Sequence, residues 1–331
     1  MRKTYMSNTL VIALISVIMA TGACRSSQRG KPSGSDPEGI KGNISISGAF
    51  ALYPLTVKWA DEFRRLHPGV SIDISAGGAG KGMADVLSGM VDMAMFSREV
   101  SPEETNKGAW KVAVAKDAVF ATVNEKSPAI KELMGKGLTR DQFEYLFTLD
   151  MTGKWNDFEG ISCIEKINVY TRSDACGAAA IWADFFNKSQ EELKGVGVFG
   201  DPGMADAVKK DPYGVGYNNL VYVFDSRTKK VVDGLAIIPL DLNGNRKIDP
   251  EEDFYSSMDS AMAAIREGKY PSPPSRNLYL ITRGKSTNPL VTSFLEYILE
   301  EGQVIIPEAG YVQLDRLTLE NEKMKLKSVD Q

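Results

Sequence analysis

From Asn43 onward, short apolar or alternating runs take turns with stretches whose apolar residues recur at helical spacing. Asn43-Ile44-Ser45-Ile46-Ser47 alternates polar and apolar residues up to Gly48, the pattern of a strand with one buried face. Tyr53 to Leu66 sets Trp59, Phe63 and Leu66 on one side of a helix. Val70-Ser71-Ile72-Asp73-Ile74 alternates again, and after Gly77-Gly78-Ala79-Gly80 a helix is expected from Lys81 to Met90. Further on, Lys111 to Asn124 reads as a long apolar strand, Leu138 to Phe147 as a helix, Ile167 to Thr171 as a strand and Cys176 to Phe186 as a helix. Gly214-Val215-Gly216-Tyr217 opens a strand segment that should end near Phe224. The prolines of Tyr270-Pro271-Ser272-Pro273-Pro274 keep that stretch extended. A strand Leu278 to Thr282, a helix Pro289 to Leu299 and a final Gly310-Tyr311-Val312 follow. This alternation predicts α/β lobes with mainly parallel sheets.

The first forty residues break the pattern. Arg2 and Lys3 precede an apolar run, Leu10 to Ala20, of secretory length and too short for a spanning helix. Thr21-Gly22-Ala23 and then Cys24 resemble a bacterial lipoprotein signal, in which residues 1–23 are removed and Cys24 is lipidated. An ordinary signal peptide cleaved nearby is the alternative. Either way the chain is expected outside the cytoplasm, facing the periplasm or the cell exterior. Arg25 to Glu38 is rich in Ser, Gly and Pro, so residues 24–39 read as a flexible tether.

With 331 residues, 43% hydrophobic and 25% charged, the chain is long enough for two lobes with separate cores. The net charge of −4 falls to about −6 once the signal is removed, and no basic stretch dominates. Nucleic acid is therefore an unexpected partner, and an anion would have to be held by local donors.

Those donors are supplied most economically by helix N-termini, whose free N–H groups and dipole face the anion, with glycines for close approach and an arginine for paired bonds. The chain has strand-to-helix junctions of this kind at Ser47-Gly48-Ala49-Phe50, Gly77-Gly78-Ala79-Gly80-Lys81-Gly82 and Arg172-Ser173-Asp174-Ala175-Cys176-Gly177-Ala178. Phe96-Ser97-Arg98 ends a further strand. In open α/β sheets such strand ends border the ligand crevice.

In order and spacing, these junctions resemble the periplasmic phosphate-binding proteins of ABC transporters, within the two-lobed type 2 solute-binding superfamily. The likeness runs from about Gly42 to Leu314. It includes Pro54 with Trp59-Ala60, Val91-Asp92-Met93-Ala94 leading to Ser97-Arg98, Arg276-Asn277-Leu278-Tyr279, and Glu301-Gly302-Gln303 leading to Gly310-Tyr311-Val312. The resemblance implies an α/β fold with a ligand cleft between lobes, lobe one from residues 40–118 and 275–331, lobe two from 119–274. It implies a monomeric binding protein that captures a small oxyanion, phosphate first, for a membrane permease. Carried over by position, the cage would draw on backbone donors around Ala51 and Leu52, at Ala79 and Gly80, and at Cys176, Gly177 and Ala178. The Ser97 hydroxyl and the Arg172 guanidinium complete it. The family usually has Ser-Gly-Thr where this chain has Cys176-Gly177-Ala178, and many relatives have Ser or Thr in place of Leu52, so three hydroxyl donors are missing.

Other readings stand beside these. Arg172 and Asp174 could form a structural ion pair, and Lys81 and His67 read as surface residues. A Cys163–Cys176 disulfide is disfavoured because an extended strand lies between them. Cys176 at a helix N-terminus could serve a cysteine-dependent hydrolase, although the one histidine, His67, is far off in sequence. A sensor or scaffold lipoprotein on the same fold is the nearer alternative, and no catalysis or catalytic cofactor is expected. Finally, residues 241–252 match the twelve-residue EF-hand loop. Asp241, Asn243, Asn245, Asp249, Glu252 and the Lys247 carbonyl would ligate a structural calcium ion, with Ile248 packing inward. Arg246 replaces the usual turn glycine, and a polar surface turn is the alternative.

Overall fold

The alternation seen in the sequence closes into a mixed sheet of nine strands in the computed structural model, which describes residues 40–149 and 153–328. The strands are β1 (Gly42–Gly48), β2 (Val70–Ala76), β3 (Met93–Phe96), β4 (Ala109–Asn124), β5 (Asn168–Arg172), β6 (Val196–Val198), β7 (Gly214–Asn219), β8 (Leu235–Ile237) and β9 (Ser275–Arg283). Their order is β2-β1-β3-β9-β4-β7-β5-β6, with β8 also on β4. At the margins the sheet is parallel, β1 with β2 and β3, β5 with β6 and β7. The centre is antiparallel, β3 with β9 and β4 with β7, β8 and β9. The expectation of mainly parallel sheets is thus corrected at the centre, where the chain returns from a distant segment, β9, without a crossover helix beside it.

β4 is the link between two halves. Its first part, Ala109 to Ala118, pairs with β9, and its second, Val119 to Val123, pairs with β7. At about 3.3 Å per residue its 16 residues span roughly 50 Å, enough to serve two cores. Side chains from Ile44 to Ala115 and from Leu278 to Leu326 form one core around Trp59, Phe63, Phe96 and Phe294. Those from Val119 to Leu240 form another around Phe143, Phe147, Trp155, Trp182 and Tyr217. A third cluster, with Phe120, Phe224, Tyr255 and Tyr270, packs beneath β4 and reaches Val312.

Several helices match their predicted spans, Tyr53–Leu66 and Pro289–Leu299 among them. Others differ. The segment after Gly214 stays a strand only to Asn219, and Leu220–Val223 is a helical turn. Gly200–Lys210, Met258–Arg266 and Arg316–Lys327 are helices that the pattern did not disclose. In the first of these, Gly200, Pro202 and Gly203 in the opening turn mask the helical period that follows. Among the described residues no helix is long and apolar enough to cross a membrane. The proposed signal, Cys24 and the tether lie outside the described residues.

Candidate anion site

Arg172 is the last residue of β5, and its side chain is 1% exposed. Its Nε and Nη2 donate to the two carboxylate oxygens of Asp174, at 2.8 and 2.7 Å. Its Nη1 donates to Asp201 Oδ2 at 2.7 Å, and the Phe50 ring centroid lies 5.9 Å from the guanidinium carbon. Burial works against the charged guanidinium, but Asp201 and Asp174 outweigh it and raise the pKa further. The ion-pair reading of Arg172 and Asp174 is therefore realised, and a second carboxylate, Asp201, joins them.

Directly after the arginine, Cys176 caps the helix Gly177–Asp184. Its Sγ accepts from Ala179 N at 3.4 Å, and its own N–H goes to Gln190 Oε1 at 3.1 Å. Gln190 Nε2 donates in turn to Asp174 O at 2.8 Å, which clamps the turn. Burial pushes the Cys176 thiol up to about 12, more than nearby Arg172 offsets. Its surroundings therefore favour the thiol over the thiolate that nucleophilic chemistry needs. Cys163 and Cys176 are both free.

The other junctions meet this turn. Gly77 and Gly78 both donate to Gly48 O, at 2.9 and 3.1 Å, which folds the glycine-rich turn back over β1. A Cβ on Gly78 would lie 3.0 Å from Asp174 Oδ2, and one on Gly80 would lie 2.9 Å from Ala175 Cβ. At Gly177 a Cβ would come within 2.2 Å of both the carbonyl and the hydroxyl oxygen of buried Ser97. These glycines let the two halves of the molecule touch, backbone to backbone. Phe50 completes the closure, edge-on to Phe199 at 5.9 Å and with its carbonyl accepting from Tyr222 at 3.0 Å.

Not every predicted donor is turned inward. Gly80 N donates to Ala175 O at 3.1 Å and Leu52 N to Ala49 O at 3.2 Å, while Ala51 O accepts from Tyr311 at 2.7 Å. Leu52, Ala79 and Ala178 contribute only backbone and apolar bulk. Gly80 and Leu52 thus direct their amides to loop closure. Lys81 pairs with Asp85, as suits a residue on the helix surface.

Four residues the sequence reading did not place at the site complete it. Asn219, at the end of β7, donates through Nδ2 to Asp201 Oδ1 and accepts through Oδ1 from Arg276 Nη2. Arg276 Nη1 donates to Gly177 O at 2.7 Å, and Nη2 lies 3.2 Å from Asp117 Oδ2. Asp117 and Arg276 are register partners on β4 and β9, where the chain crosses between the halves. Burial pushes Asp117 up to about 6, against the pull of Arg276, and raises Asp201 as well. The available signal was a lone aspartate inside the apolar run of β4.

The 241–252 loop is separate. Asp241 accepts from the amides of Gly244 (2.7 Å) and Arg246 (2.9 Å), and Glu252 from those of Leu242 (2.8 Å), Asn243 (3.2 Å) and Asp249 (3.1 Å). Asp249 Oδ2 accepts from the side-chain Nδ2 groups of Asn243 and Asn245, at 3.0 and 2.7 Å, and Lys247 Nζ lies 3.3 Å from Asp249 Oδ1. Arg246 has φ 62°, the left-handed conformation that glycine normally supplies there. Ile248 packs toward Gly137. Among the described residues no group of three or more His, Cys, Asp or Glu side chains is arranged to hold a metal.

The sequence profile of the PBP superfamily domain matches residues 31–301. The phosphate-binding protein PstS of Bacillus subtilis is 25% identical over 314 residues, 92% of this chain and 94% of its own length. A phosphate ABC transporter substrate-binding protein of Clostridium perfringens, solved with phosphate bound, superposes with a TM-score of 0.67 at 22% identity. That comparison covers 83% of this chain and all of the other. An ABC-type phosphate transport receptor from Vibrio cholerae gives a TM-score of 0.60 at 19% identity, covering 82% of this chain and all of the receptor. These structures share the two-lobed α/β fold.

Proposed function

Because the chain belongs to the PBP superfamily, whose matched domain covers residues 31–301, we propose that it is a solute-binding protein outside the cytoplasm that captures a small oxyanion, phosphate first. The observation that carries this reading is the meeting of the glycine-rich turn and Ser97 with the turn of residues 174–177, which buried Arg172 anchors through Asp174. The names of the relatives at 25% identity and below support phosphate as the ligand and an ABC permease as the partner. Arg172 supplies charged donors and the first turn of the helix supplies amides, the two means by which proteins hold desolvated oxyanions. Residues 40–118 with 275–331 and residues 119–274 are the bodies that part to admit the anion, hinged on β4 and β9. Cys24 carries the lipid that keeps the head near its permease, and the protein acts as a monomer.

The 241–252 loop enters the proposal as a calcium-binding turn that stabilises the second body. Its ligand spacing and the left-handed backbone of Arg246 support that role.

Calorimetric titration of the ligand-stripped head with phosphate, arsenate, sulfate and molybdate tests the central reading. Binding of phosphate in the micromolar range or tighter is expected. A folded head that binds none of the four would overturn it.

A further inference from the structure

We infer that Asp201 is a resident counter-ligand: its carboxylate holds the Arg172 donor that an incoming oxyanion would take, so the anion binds by displacing it. This deepens the reading above and rests on it.

Arg172 presents its donors in two directions. Nε and Nη2 are closed by Asp174, two residues along the same turn, and Asp174 Oδ1 also accepts from Gly200 N at 3.2 Å. Nη1 is closed by Asp201, which arrives from a different element, the first turn of the helix Gly200–Lys210. With its side chain 1% exposed, the guanidinium offers no solvent-facing edge. Each of its three nitrogens already donates to a carboxylate, so a new anion approaching them competes with Asp174 or with Asp201. Asp174 is pinned by a two-point pair and a backbone amide, whereas Asp201 is held by Arg172 Nη1 and the Asn219 amide. Asp201 is the one that can leave.

The charge count points the same way. The buried cluster holds two guanidinium groups, Arg172 and Arg276, against three carboxylates, Asp117, Asp174 and Asp201. A further anion added to that inventory would meet unscreened like charge, so one negative group has to withdraw or be neutralised. The N-terminus of its own helix favours Asp201 where it sits. With Leu52, Cys176 and Ala178 in place of hydroxyl donors, the ligand has few contacts with which to outbid it. Displacement also has a route to the rest of the molecule. Asp201 Oδ1 is bonded to Asn219, Asn219 to Arg276, and Arg276 to both Gly177 O and Asp117 at the β4–β9 crossing.

Parent, Asp201→Asn and Asp201→Ala proteins, with folding checked by circular dichroism, would be titrated calorimetrically with inorganic phosphate and with sulfate. The expected result is a tenfold or greater tightening for both anions in both variants. Asn219→Ser, which leaves every charge in place while loosening Asp201 and removing one acceptor from Arg276, should tighten binding several-fold, and it serves if either Asp201 variant does not fold. Unchanged affinities would overturn the inference. Weaker phosphate binding with sulfate unaffected would also overturn it and make Asp201 an acceptor for the ligand's proton, leaving the oxyanion reading intact. If parent and variants are folded and none binds an oxyanion, the functional reading itself falls and the inference with it. Binding by the variants alone would support both.

Discussion

Two carboxylate-rich regions of this chain solve the same problem in opposite ways. Around Arg172 and Arg276, the buried carboxylates Asp201 and Asp117 take their partners from strands and helices far apart in sequence, and only Asp174 pairs within its own turn. In the 241–252 loop, Asp241 and Glu252 are also buried, yet they accept almost wholly from backbone amides of the loop itself. The first arrangement exists only when the fold has formed and ties the two halves together. The second can form locally and needs little from the rest of the molecule. Charge in the first is therefore tied to the geometry of the cleft, while in the second it shapes a turn.

That contrast can be broken most forcefully at Arg172. Arg172→Ala strands Asp174 and Asp201 without their cation, and the loss of one partner of a buried pair costs about 3–5 kcal/mol of stability. Chemical denaturation should show that loss, and calorimetry a weakening of anion binding by roughly 2–5 kcal/mol. An arginine without such partners could be replaced at little cost to the fold. The two carboxylates on the guanidinium are the reason to expect otherwise.

Glu252→Ala frees the amides of Leu242, Asn243 and Asp249, at a cost of about 1–3 kcal/mol. Calcium should raise the melting temperature of the parent and leave the variant unmoved. A parent whose melting curve is the same in EDTA and in calcium would reduce the loop to a self-capped turn.

Gly177→Ala places a methyl against Ser97, where overpacking costs about 1–3 kcal/mol, and should weaken anion binding by holding the halves apart. Gly244→Ala in the loop meets nothing within 4 Å and costs only the strain of a positive φ, about 1 kcal/mol, with anion binding unchanged. Equal binding by these two variants would dissolve the comparison.

The smallest effect concerns Asp117. Its carboxyl is raised to about 6 in the folded protein, against an unfolded value near ~4. Its contribution to stability is thus complete below pH ~4 and disappears as the pH rises through about 6. The melting temperature of the parent relative to Asp117→Asn should fall across that interval. A difference that stays flat would mean that Arg276 keeps Asp117 ionised throughout.

Periodicity and spacing within about fifteen residues determined much of this protein. Ile44 and Ile46 alternating in β1, Trp59 and Phe63 on the helix Tyr53–Leu66, and the glycines before the helix Ala79–Ser88 are each set by local sterics or by a single buried face. The order of those junctions also made the family legible, and with it the importance of Arg172. What no local pattern could carry is the pairing of groups that meet across the fold. Asp201 lies in a helix hidden by Gly200, Pro202 and Gly203, and it reaches Arg172 from 29 residues away; Arg276 reaches Asp117 across 159. Only tertiary structure decides such partners, because a desolvated charge is held by whatever donor the packed chain brings within hydrogen-bond distance, however far along the sequence that donor lies.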